Sequence, residues 1–315
     1  MKKMQFGVVG CGAIAKAHIE AFKEHDAQCA GVADNNPEAA KKFAAELGGA
    51  RICKDYRELV DAVKPDLISI CTPPVAHEET AVYALQQGVH VLCEKPLAYD
   101  IQAARRVRDA AEKSRALLMP AFRHRFMYAN IMLRDIAASG EIGDIVLFNN
   151  IFCGPSFAME TKWFTKKAVA GGGCLLDTNS HSVDLFRFIV GEIAEQRALM
   201  HRHFKTTDVE DAGVLVVKSD KGALGVMASS FVAGSGSAFI EITGTKGKMR
   251  YDYTDREKVL VRLAGDKDWT ARPVKQSNGF AEEISHFLGA IEGKHKLSCT
   301  VVDGVRVMEV ICGVY

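Results

Sequence analysis

Short apolar runs alternate with amphipathic stretches from residue 3 to about residue 121. The runs are apolar at nearly every position, which is typical of strands buried on both faces. The intervening stretches repeat apolar residues with a helical period, as expected of helices that cover a sheet. The pattern predicts an α/β domain built on a doubly wound parallel sheet. The runs are QFGVVG, QCAGVAD, DLISICT, HVLCEK and ALLMPAF, and the helical stretches are NPEAAKKFAAEL, HEETAVYALQQG and DIQAARRVRDAAEKS.

The pattern changes after Phe122. A helical stretch at 128–138 leads to a strand near 145–152. Two pairs of strand-like runs follow, one pair joined at 220–222 and the other around 244–247. Consecutive hairpins predict an α+β domain with an open, mainly antiparallel sheet.

These patterns predict two domains, residues 1–122 and residues 123–315, as the chain length also suggests. Two late helical patterns, 279–293 and 303–315, could pack on either domain, so the C-terminal helix could pack back on the first. The last pattern has no capping residue after Tyr315, which leaves open that the natural chain continues.

Composition and charge exclude some classes of partner. The chain is 48% hydrophobic and 25% charged, and no apolar run is long enough to cross a bilayer. Lysine and arginine number 40 against 39 acidic residues, so no overall field favours nucleic acid or a membrane surface. We expect neither partner. The start, MKKMQFGVVG, resembles a signal peptide in its two lysines, but its glycines better fit a strand that enters a loop.

The cysteines are nine in number, scattered, often within apolar runs, and without C-x-x-C spacing. This usage predicts buried thiols in a reducing cytoplasm and suggests neither a zinc site nor a disulfide framework.

A glycine-rich turn follows the first apolar run. Gly10 and Gly12 allow a tight turn and close approach of the backbone to a pyrophosphate, and the next helix offers its N-terminal amides. Asp34 closes the second run roughly 20 residues later, where a carboxylate would accept hydrogen bonds from ribose hydroxyls. This context predicts a Rossmann domain, although a simple strand-to-helix turn is the alternative. The predicted cofactor contacts here are Gly10, Gly12, Ala13, Ile14, Asp34 and Asn35.

The residues after Asp34 favour NAD over NADP as the cofactor. They are Asn35, Asn36 and Pro37, and they include no arginine or serine placed to bind a 2′-phosphate.

Three further signatures appear in order along the chain. They are Cys71-Thr-Pro-Pro74 with His77, then Glu94-Lys95-Pro96, and then Gly-Gly-Gly…Leu-Asp-x-x-x-His-x-x-Asp at 171–184. Together with the glycine turn, they resemble the Gfo/Idh/MocA family of NAD(P)-dependent sugar and inositol dehydrogenases. The resemblance covers essentially the whole chain.

The resemblance implies that Lys95, Asp177 and His181 form the catalytic group. It also implies that the second domain is an open sheet whose face covers the nicotinamide. Family members often carry an Asn-Arg-Arg-Phe-like segment where this chain has Phe122-Arg-His-Arg-Phe126, so the role of each basic residue there stays open. The resemblance further implies a cofactor lining of Thr72, Pro73, His77, Glu94 and Lys95.

The chemistry of alcohol oxidation suits these residue types. Lys95 follows a strand at the end where ligands bind in doubly wound folds, Pro96 keeps it extended, and its ammonium can stabilise negative charge on a substrate oxygen. His181 has a side chain that titrates near neutrality, as a general base requires. If 178–190 is helical, Asp177 lies near its N-cap and on the same face as His181. A surface lysine, a capping aspartate and a structural histidine are the alternatives.

Asp184 lies on the same stripe as Asp177 and His181, and a structural role suits it best. The neighbours Val183, Phe186 and Val190 are expected to face the core.

A metal site needs more than two ligands. His201 and His203 alternate on a predicted strand, but no carboxylate or cysteine spacing completes a set. We expect a solvated strand edge there and no metal.

The candidates for substrate binding are Arg123, Trp163 and Thr178. His124 and Arg125 are further candidates on the substrate side. The arginines could hold an anionic group or could pair with local carboxylates, and both alternatives stay open.

The sequence thus predicts an NAD-dependent dehydrogenase that oxidises a secondary alcohol of a sugar, cyclitol or sugar derivative. One alternative is an NADP-dependent aldose or dihydrodiol dehydrogenase. Another is a regulatory protein that senses dinucleotides, although such a protein has no need of the catalytic group. The exposed face of the open sheet predicts a homodimer or homotetramer.

Overall fold

A computed structural model describes residues 3–156 and 161–315. The chain divides into two compact units. The first comprises Met1–Phe122 and Phe280–Met308, and the second comprises Arg123–Gly279 and Glu309–Tyr315. The sequence pattern changes at the same residue where the first segment ends. Phe280–Met308, which the sequence left in the 123–315 segment, belongs to the first unit.

The secondary structure contains both helices and strands, numbered here in chain order. The strands are β1 (Gln5–Val9), β2 (Gln28–Ala33), β3 (Arg51–Cys53), β4 (Leu67–Ile70), β5 (His90–Glu94), β6 (Leu118–Ala121), β7 (Ile145–Pro155), β8 (Ile193–His201), β9 (Ala212–Ser219), β10 (Leu224–Ser230), β11 (Val232–Gly244), β12 (Gly247–Asp252), β13 (Asp255–Leu263) and β14 (Thr270–Pro273). The helices are α1 (Ala13–Lys23), α2 (Pro37–Glu46), α3 (Tyr56–Glu58), α4 (His77–Gln86), α5 (Ile101–Lys113), α6 (Tyr128–Ala138), α7 (Lys167–Ala170), α8 (Cys174–Asp177), α9 (Asn179–Ile189), α10 (Phe280–Ile291) and α11 (Val301–Cys312).

The first unit contains a six-stranded parallel sheet in the order β3-β2-β1-β4-β5-β6. This is the strand order of a doubly wound dinucleotide-binding fold, which confirms the predicted fold class. The five apolar runs form β1, β2, β4, β5 and β6. The pattern missed β3, because two of its three residues are exposed at the edge of the sheet.

Two helices of the first unit, α2 and α5, begin at polar capping residues. The Asn36 side chain accepts hydrogen bonds from the amides of Glu38 and Ala39 at the start of α2, and Asp100 accepts one from Ala103 at the start of α5. Such caps satisfy amides that have no partner within the helix. In the part of the chain that the structure describes, no helix is long and apolar enough to cross a membrane.

The second unit contains an eight-stranded sheet in the order β14-β13-β12-β11-β7-β10-β9-β8. Only the β7–β10 pair is parallel among the pairs of this sheet. Both predicted hairpins are present, as β9–β10 and β11–β12. The second domain is therefore α+β with a mainly antiparallel sheet, as predicted.

One face of this sheet is covered within the unit, and the other is exposed. On the covered face Leu215 and Val217 are buried, and the Phe186 ring of α9 contacts Phe148 of β7 with centroids 5.3 Å apart. The opposite face has a row of exposed aliphatic side chains, here called the open face. Its members lie in register on β7, β8, β9 and β10 and are Leu147, Leu199, Val214, Val216 and Leu224.

All nine cysteines are free thiols in the structure. Burial raises the pKa of both Cys29 and Cys174 to about 12, so these thiols stay protonated near neutral pH.

Candidate active site

The glycine turn between β1 and α1 is closed on one side and open on the other. Gly10 has a φ of 91°, a region that favours glycine, and a Cβ there would lie 2.7 Å from the backbone of Cys71. Gly12 precedes α1, and a Cβ on Gly12 would meet nothing within 4 Å. The turn therefore packs tightly against the loop after β4, while space remains at Gly12 beside the amides that begin α1.

The Asp34 carboxylate holds this turn in place. One of its oxygens accepts a hydrogen bond from the Cys11 amide at 2.7 Å, and the other accepts one from the Asn36 amide, also at 2.7 Å. A carboxylate can accept about four hydrogen bonds, so each oxygen keeps capacity for a hydroxyl group. This arrangement fits a ribose-binding acid.

His77 joins the loops that follow β4 and β5. Its Nε2 lies 2.8 Å from the Thr72 carbonyl oxygen, and its Nδ1 lies 2.9 Å from the Pro96 carbonyl oxygen. Burial lowers the pKa of His77, although both carbonyls act in the opposite direction. A neutral imidazole donates from one nitrogen only, so one of the two contacts is a hydrogen bond at a time. His77 is therefore engaged with backbone atoms on both sides of its ring.

Glu94 ends β5 and is bound on both carboxylate oxygens. Oε2 accepts a hydrogen bond from the Lys95 backbone amide at 3.0 Å, and Oε1 lies 2.9 Å from Nε2 of His18. Burial raises the pKa of Glu94, but the hydrogen bond and charge of His18 and the charge of Lys95 outweigh it and hold the pKa below its usual value. The sequence reasoning missed His18. A signal was available, because His18 shares the buried face of α1 with Ala15, Ile19 and Phe22 at helical spacing.

The candidate cofactor residues come from the carboxyl ends of four strands of one parallel sheet. Ligands of doubly wound folds bind at this edge, where the strand order reverses between β1 and β4. The open glycine turn and the tethered acid fit a dinucleotide. The candidates at this edge are Gly10, Gly12, Ala13, Ile14, Asp34, Asn35, Thr72, Pro73, His77, Glu94 and Lys95.

In the second unit, Gly172 and Gly173 before α8 let the backbone pack closely against Tyr315 and Glu210. The Glu210 carboxylate accepts hydrogen bonds from the Gly173 and Leu175 amides, the latter at 2.9 Å, and from the Tyr315 hydroxyl at 2.6 Å. A Cβ on Gly173 would overlap the Glu210 carbonyl, and one on Gly172 would overlap the Tyr315 ring. These glycines thus permit close packing. Sequence reasoning missed Glu210 and Tyr315, because no local pattern marks either as a partner of the glycines.

Asp177 is the last residue of α8 and lies directly before Thr178, the N-cap of α9. Its amide donates to the Gly173 carbonyl, and its carbonyl accepts from the Ser180 hydroxyl. The N-cap position of α9 is held by Thr178, so Asp177 lies one residue before it. Thr178 donates to the Asp177 carboxylate at 3.4 Å, which brings these two candidates together.

His181 packs against an aromatic cluster made of His124, Phe152 and Tyr253. The His181 and His124 ring centroids are 4.4 Å apart, and His124 lies 5.3 Å from each of the other two rings. His124 is buried, whereas His181 is half-buried. The cluster thus supports one side of a candidate base that keeps partial solvent access. Sequence reasoning missed Phe152 and Tyr253, which lie on or after distant strands.

Arg125 and Asp184 form a buried ion pair. The guanidinium Nη2 lies 2.6 Å from Asp184 Oδ1, and Nε lies 2.8 Å from both carboxylate oxygens. Asp184 therefore has the structural role that the sequence suggested. Of the two alternatives for Arg125, an anionic ligand or a local carboxylate, the structure shows the local carboxylate. Val183 and Phe186 are buried as predicted, and Val190 is half-buried.

The other two substrate candidates, Arg123 and Trp163, contact other parts of the second unit. Arg123 donates to the Asn278 carbonyl at 2.7 Å. Trp163 is 42% exposed, and its ring contacts the neighbouring Phe164.

The pair His201 and His203 does not alternate on one strand, so that prediction is wrong. β8 ends at His201, and the amide of His203 instead donates to the Asp211 carboxylate because the chain turns there. The two rings meet edge to face at 4.6 Å. Across residues 3–156 and 161–315, no cluster of three or more histidine, cysteine or acidic side chains could hold a metal ion.

A Rossmann unit with an open glycine turn defines the class of protein, a dinucleotide-binding protein. Residues 4–122 match the family described as "Oxidoreductase family, NAD-binding Rossmann fold", and residues 131–250 match the "GFO/IDH/MocA C-terminal domain". The chain belongs to the Gfo/Idh/MocA family, as its motifs indicated. NAD is the dinucleotide that this family fold binds.

Relatives with named activities cover most of the chain. Levoglucosan dehydrogenase of Pseudarthrobacter phenanthrenivorans is 27% identical over 85% of this chain and 78% of its own. Myo-inositol 2-dehydrogenase of Thermotoga maritima is 26% identical over 96% of this chain and 92% of its own. Among solved structures, GenD2 from gentamicin A biosynthesis, in complex with NAD, is 25% identical with a TM-score of 0.87, over 100% of this chain and 94% of that one.

Gly12→Ala tests the open side of the glycine turn. The new methyl group fits the protein itself, because nothing lies within 4 Å of its position, but it fills the space that a pyrophosphate would approach. We expect NADH affinity to fall about tenfold or more, measured by fluorescence titration. Because glycine is a better N-cap than alanine, we expect the free energy of unfolding to fall by about 1 kcal/mol or less. Gly154→Ala, at another glycine with open space, is the control. Equal NADH affinity in wild type and Gly12→Ala would place the dinucleotide elsewhere.

Proposed function

We propose that this protein is an NAD-dependent dehydrogenase that oxidises a secondary alcohol of a sugar, a cyclitol or a sugar derivative. The observation that carries the proposal is the half-buried His181, supported by an aromatic cluster within one helical turn of Asp177. A base that is accessible on one side, with a carboxylate four positions before it in the chain, suits removal of a proton from a polyol. The names of the relatives, levoglucosan dehydrogenase and myo-inositol 2-dehydrogenase, support the substrate class.

The cofactor residues of the proposal are those at the carboxyl ends of the parallel strands. The glycine turn would hold the pyrophosphate and Asp34 the adenosine ribose. When bound, NAD supplies a nicotinamide ring that accepts hydride at C4. Asp34 favours NAD, because its carboxylate would repel a 2′-phosphate and no arginine follows it.

Three side chains carry the proposed chemistry. His181 takes the proton of the substrate hydroxyl on its imidazole, as a general base. The Lys95 side chain would stabilise negative charge on the oxygen of the substrate. Asp177 binds a neighbouring hydroxyl or orients the imidazole. In the reverse direction His181 returns the proton to the oxygen of the carbonyl substrate.

The substrate-binding part of the proposal consists of Arg123, Trp163 and Thr178. Thr178 has the strongest support, because its hydroxyl contacts the Asp177 carboxylate. Trp163 offers an exposed ring that a sugar could pack against.

The test of the function is a substrate panel. Purified protein is given NAD and, in turn, polyols, cyclitols, aldoses and nucleotide sugars, and absorbance at the NADH band is followed. We expect turnover with at least one cyclic polyol or sugar. Silence across the panel despite tight NADH binding would favour the dinucleotide sensor. A clear preference for NADP in binding titrations would favour the NADP-dependent aldose or dihydrodiol dehydrogenase.

Substitution of the proposed catalytic residues should separate binding from chemistry. Lys95→Met is expected to lower kcat by about 100-fold or more and to leave NADH affinity nearly unchanged. The matched control is Lys113→Met, at an exposed lysine of α5, which should keep wild-type kcat.

His181→Ala is expected to lower kcat by about 100-fold or more at neutral pH and to flatten the pH profile of the rate, because the titrating base is gone. An unchanged kcat in Lys95→Met would remove that lysine from the chemistry. A normal pH profile in His181→Ala would return that histidine to a structural role.

We also propose a cytoplasmic homodimer or homotetramer that associates through the open face and binds neither nucleic acid nor membranes. Exposed aliphatic side chains in register over neighbouring strands support it, since such patches mark interfaces. Leu199→Asp with Val216→Asp should reduce the mass measured by sedimentation to that of a monomer. The control is Ile52→Asp, at an exposed aliphatic side chain on β3. A monomeric wild-type protein would contradict the proposal.

A further inference from the structure

Four side chains of the first unit form a buried hydrogen-bonded network, here called the His18 network. Nε2 of His18 lies 2.9 Å from Oε1 of Glu94, and Nδ1 lies 2.8 Å from Oγ of Ser69. Oγ of Ser69 lies 3.4 Å from Sγ of Cys71. His18 and Ser69 are fully buried, and Glu94 is 7% exposed. The network connects α1 with the ends of β4 and β5.

The distances fit two hydrogen bonds of the His18 ring. The Glu94 carboxylate can only accept, so it accepts from Nε2, whereas the Ser69 hydroxyl can accept from Nδ1 or donate to it. Burial lowers the pKa of His18, but the interactions with Cys71 and Glu94 outweigh it, and the pKa lies well above its usual value. Lys95 also lies near the pair of His18 and Glu94, and its charge acts on Glu94. The charge of Glu94 acts in turn on His77 and Cys93, and the ring of Phe280 lies 5.7 Å from that of His18.

A buried ion pair adds little net stability to a core. Desolvation offsets much of the attraction, so an apolar pair of similar volume is often as stable. The interaction is better explained by what it fixes in space. His18 and Glu94 are separated by 76 positions in the chain, and their contact sets the distance between α1 and the end of β5.

The Glu94 carboxylate connects His18 to the backbone of Lys95. Its second oxygen accepts a hydrogen bond from the Lys95 amide, so one carboxylate binds His18 and the Lys95 backbone together. On the far side of Lys95, the carbonyl of Pro96 meets His77 at 2.9 Å. The backbone before Lys95 is therefore linked to His18 through Glu94, and the backbone after it lies against the ring of His77.

The same histidine lies on the helix that begins at the glycine turn. His18 is within two turns of Ala13, the first residue of α1, and a helix of this length is stiff. His18 is thus connected to both the glycine turn, through α1, and the Lys95 backbone, through Glu94.

We propose that His18 is a positioning residue for Lys95, acting through Glu94, and that it fixes the Lys95 backbone relative to the dinucleotide-binding turn. The inference rests on the proposed function, since it assumes that Lys95 acts in catalysis. His18 itself touches neither substrate nor cofactor in this proposal.

The test compares His18→Gln with Ser69→Ala. The glutamine amide can still donate a hydrogen bond but carries no charge, so the Glu94 carboxylate loses its ionic partner. Ser69→Ala removes the other contact of the His18 ring and leaves the His18–Glu94 pair in place. Both variants are checked for folding by thermal denaturation. If His18→Gln does not fold, Glu94→Gln, which keeps the side-chain shape and removes the charge, takes its place.

The first readout needs no substrate. Hydrogen exchange of the Lys95 amide reports on its hydrogen bond to Glu94. We expect the exchange rate to rise about tenfold in His18→Gln and to stay near the wild-type rate in Ser69→Ala. Unchanged exchange in His18→Gln, or an equal rise in both variants, would overturn the proposal.

The second readout uses a substrate identified in the panel. We expect His18→Gln to lower kcat about tenfold while the substrate KM and NADH affinity change little, because the loss concerns the reacting oxygen and not binding. A faster exchange with unchanged kcat would overturn the catalytic part of the inference. If the wild-type protein is silent across the panel, the proposed function fails, and the exchange rates alone decide whether His18 fixes the Lys95 backbone.

Discussion

A buried carboxylate that accepts backbone amide hydrogens is the interaction on which each candidate site depends. In the first unit, Glu94 accepts from the amide of Lys95. In the second, Glu210 accepts from the amides of Gly173 and Leu175, at the start of the short helix that ends at Asp177. Hydrogen bonds to a charged acceptor are among the stronger ones in proteins, about 1.5–3 kcal/mol each. Each carboxylate thus fixes the backbone of a loop beside a proposed catalytic residue.

Such an arrangement requires that the carboxylates have further partners, because an uncompensated buried charge is costly. Glu94 has His18, and Glu210 has the Tyr315 hydroxyl. The tight packing of glycines follows from the same requirement. Gly173 must approach the Glu210 backbone more closely than any side chain would allow, and Gly10 approaches Cys71 in a similar way. The glycines are therefore required because the backbone must come close to the buried groups that it contacts.

Much of the fold was predictable from local patterns. The helix predicted at 128–138 has those bounds in the structure, and both hairpins turn where the glycines indicated. The errors have physical causes. β3 is an exposed edge strand without an apolar run, and His203 lies beyond the end of β8. The sequence could not decide which partner Arg125 binds, because only the packing of α9 brings Asp184 close to it.

The sequence by itself determined the two types of sheet, the positions of most helices, and the residue types that dinucleotide binding and alcohol oxidation require. Those features depend on periodicity and on turn chemistry, which act over a few residues. Only the tertiary structure decided which buried polar groups are partners. His18 and Glu94 are 76 positions apart, and Glu210 and Tyr315 are 105 apart, so no local pattern connects them. Burial makes each of these groups require a partner, and the packing of distant elements determines which one it receives.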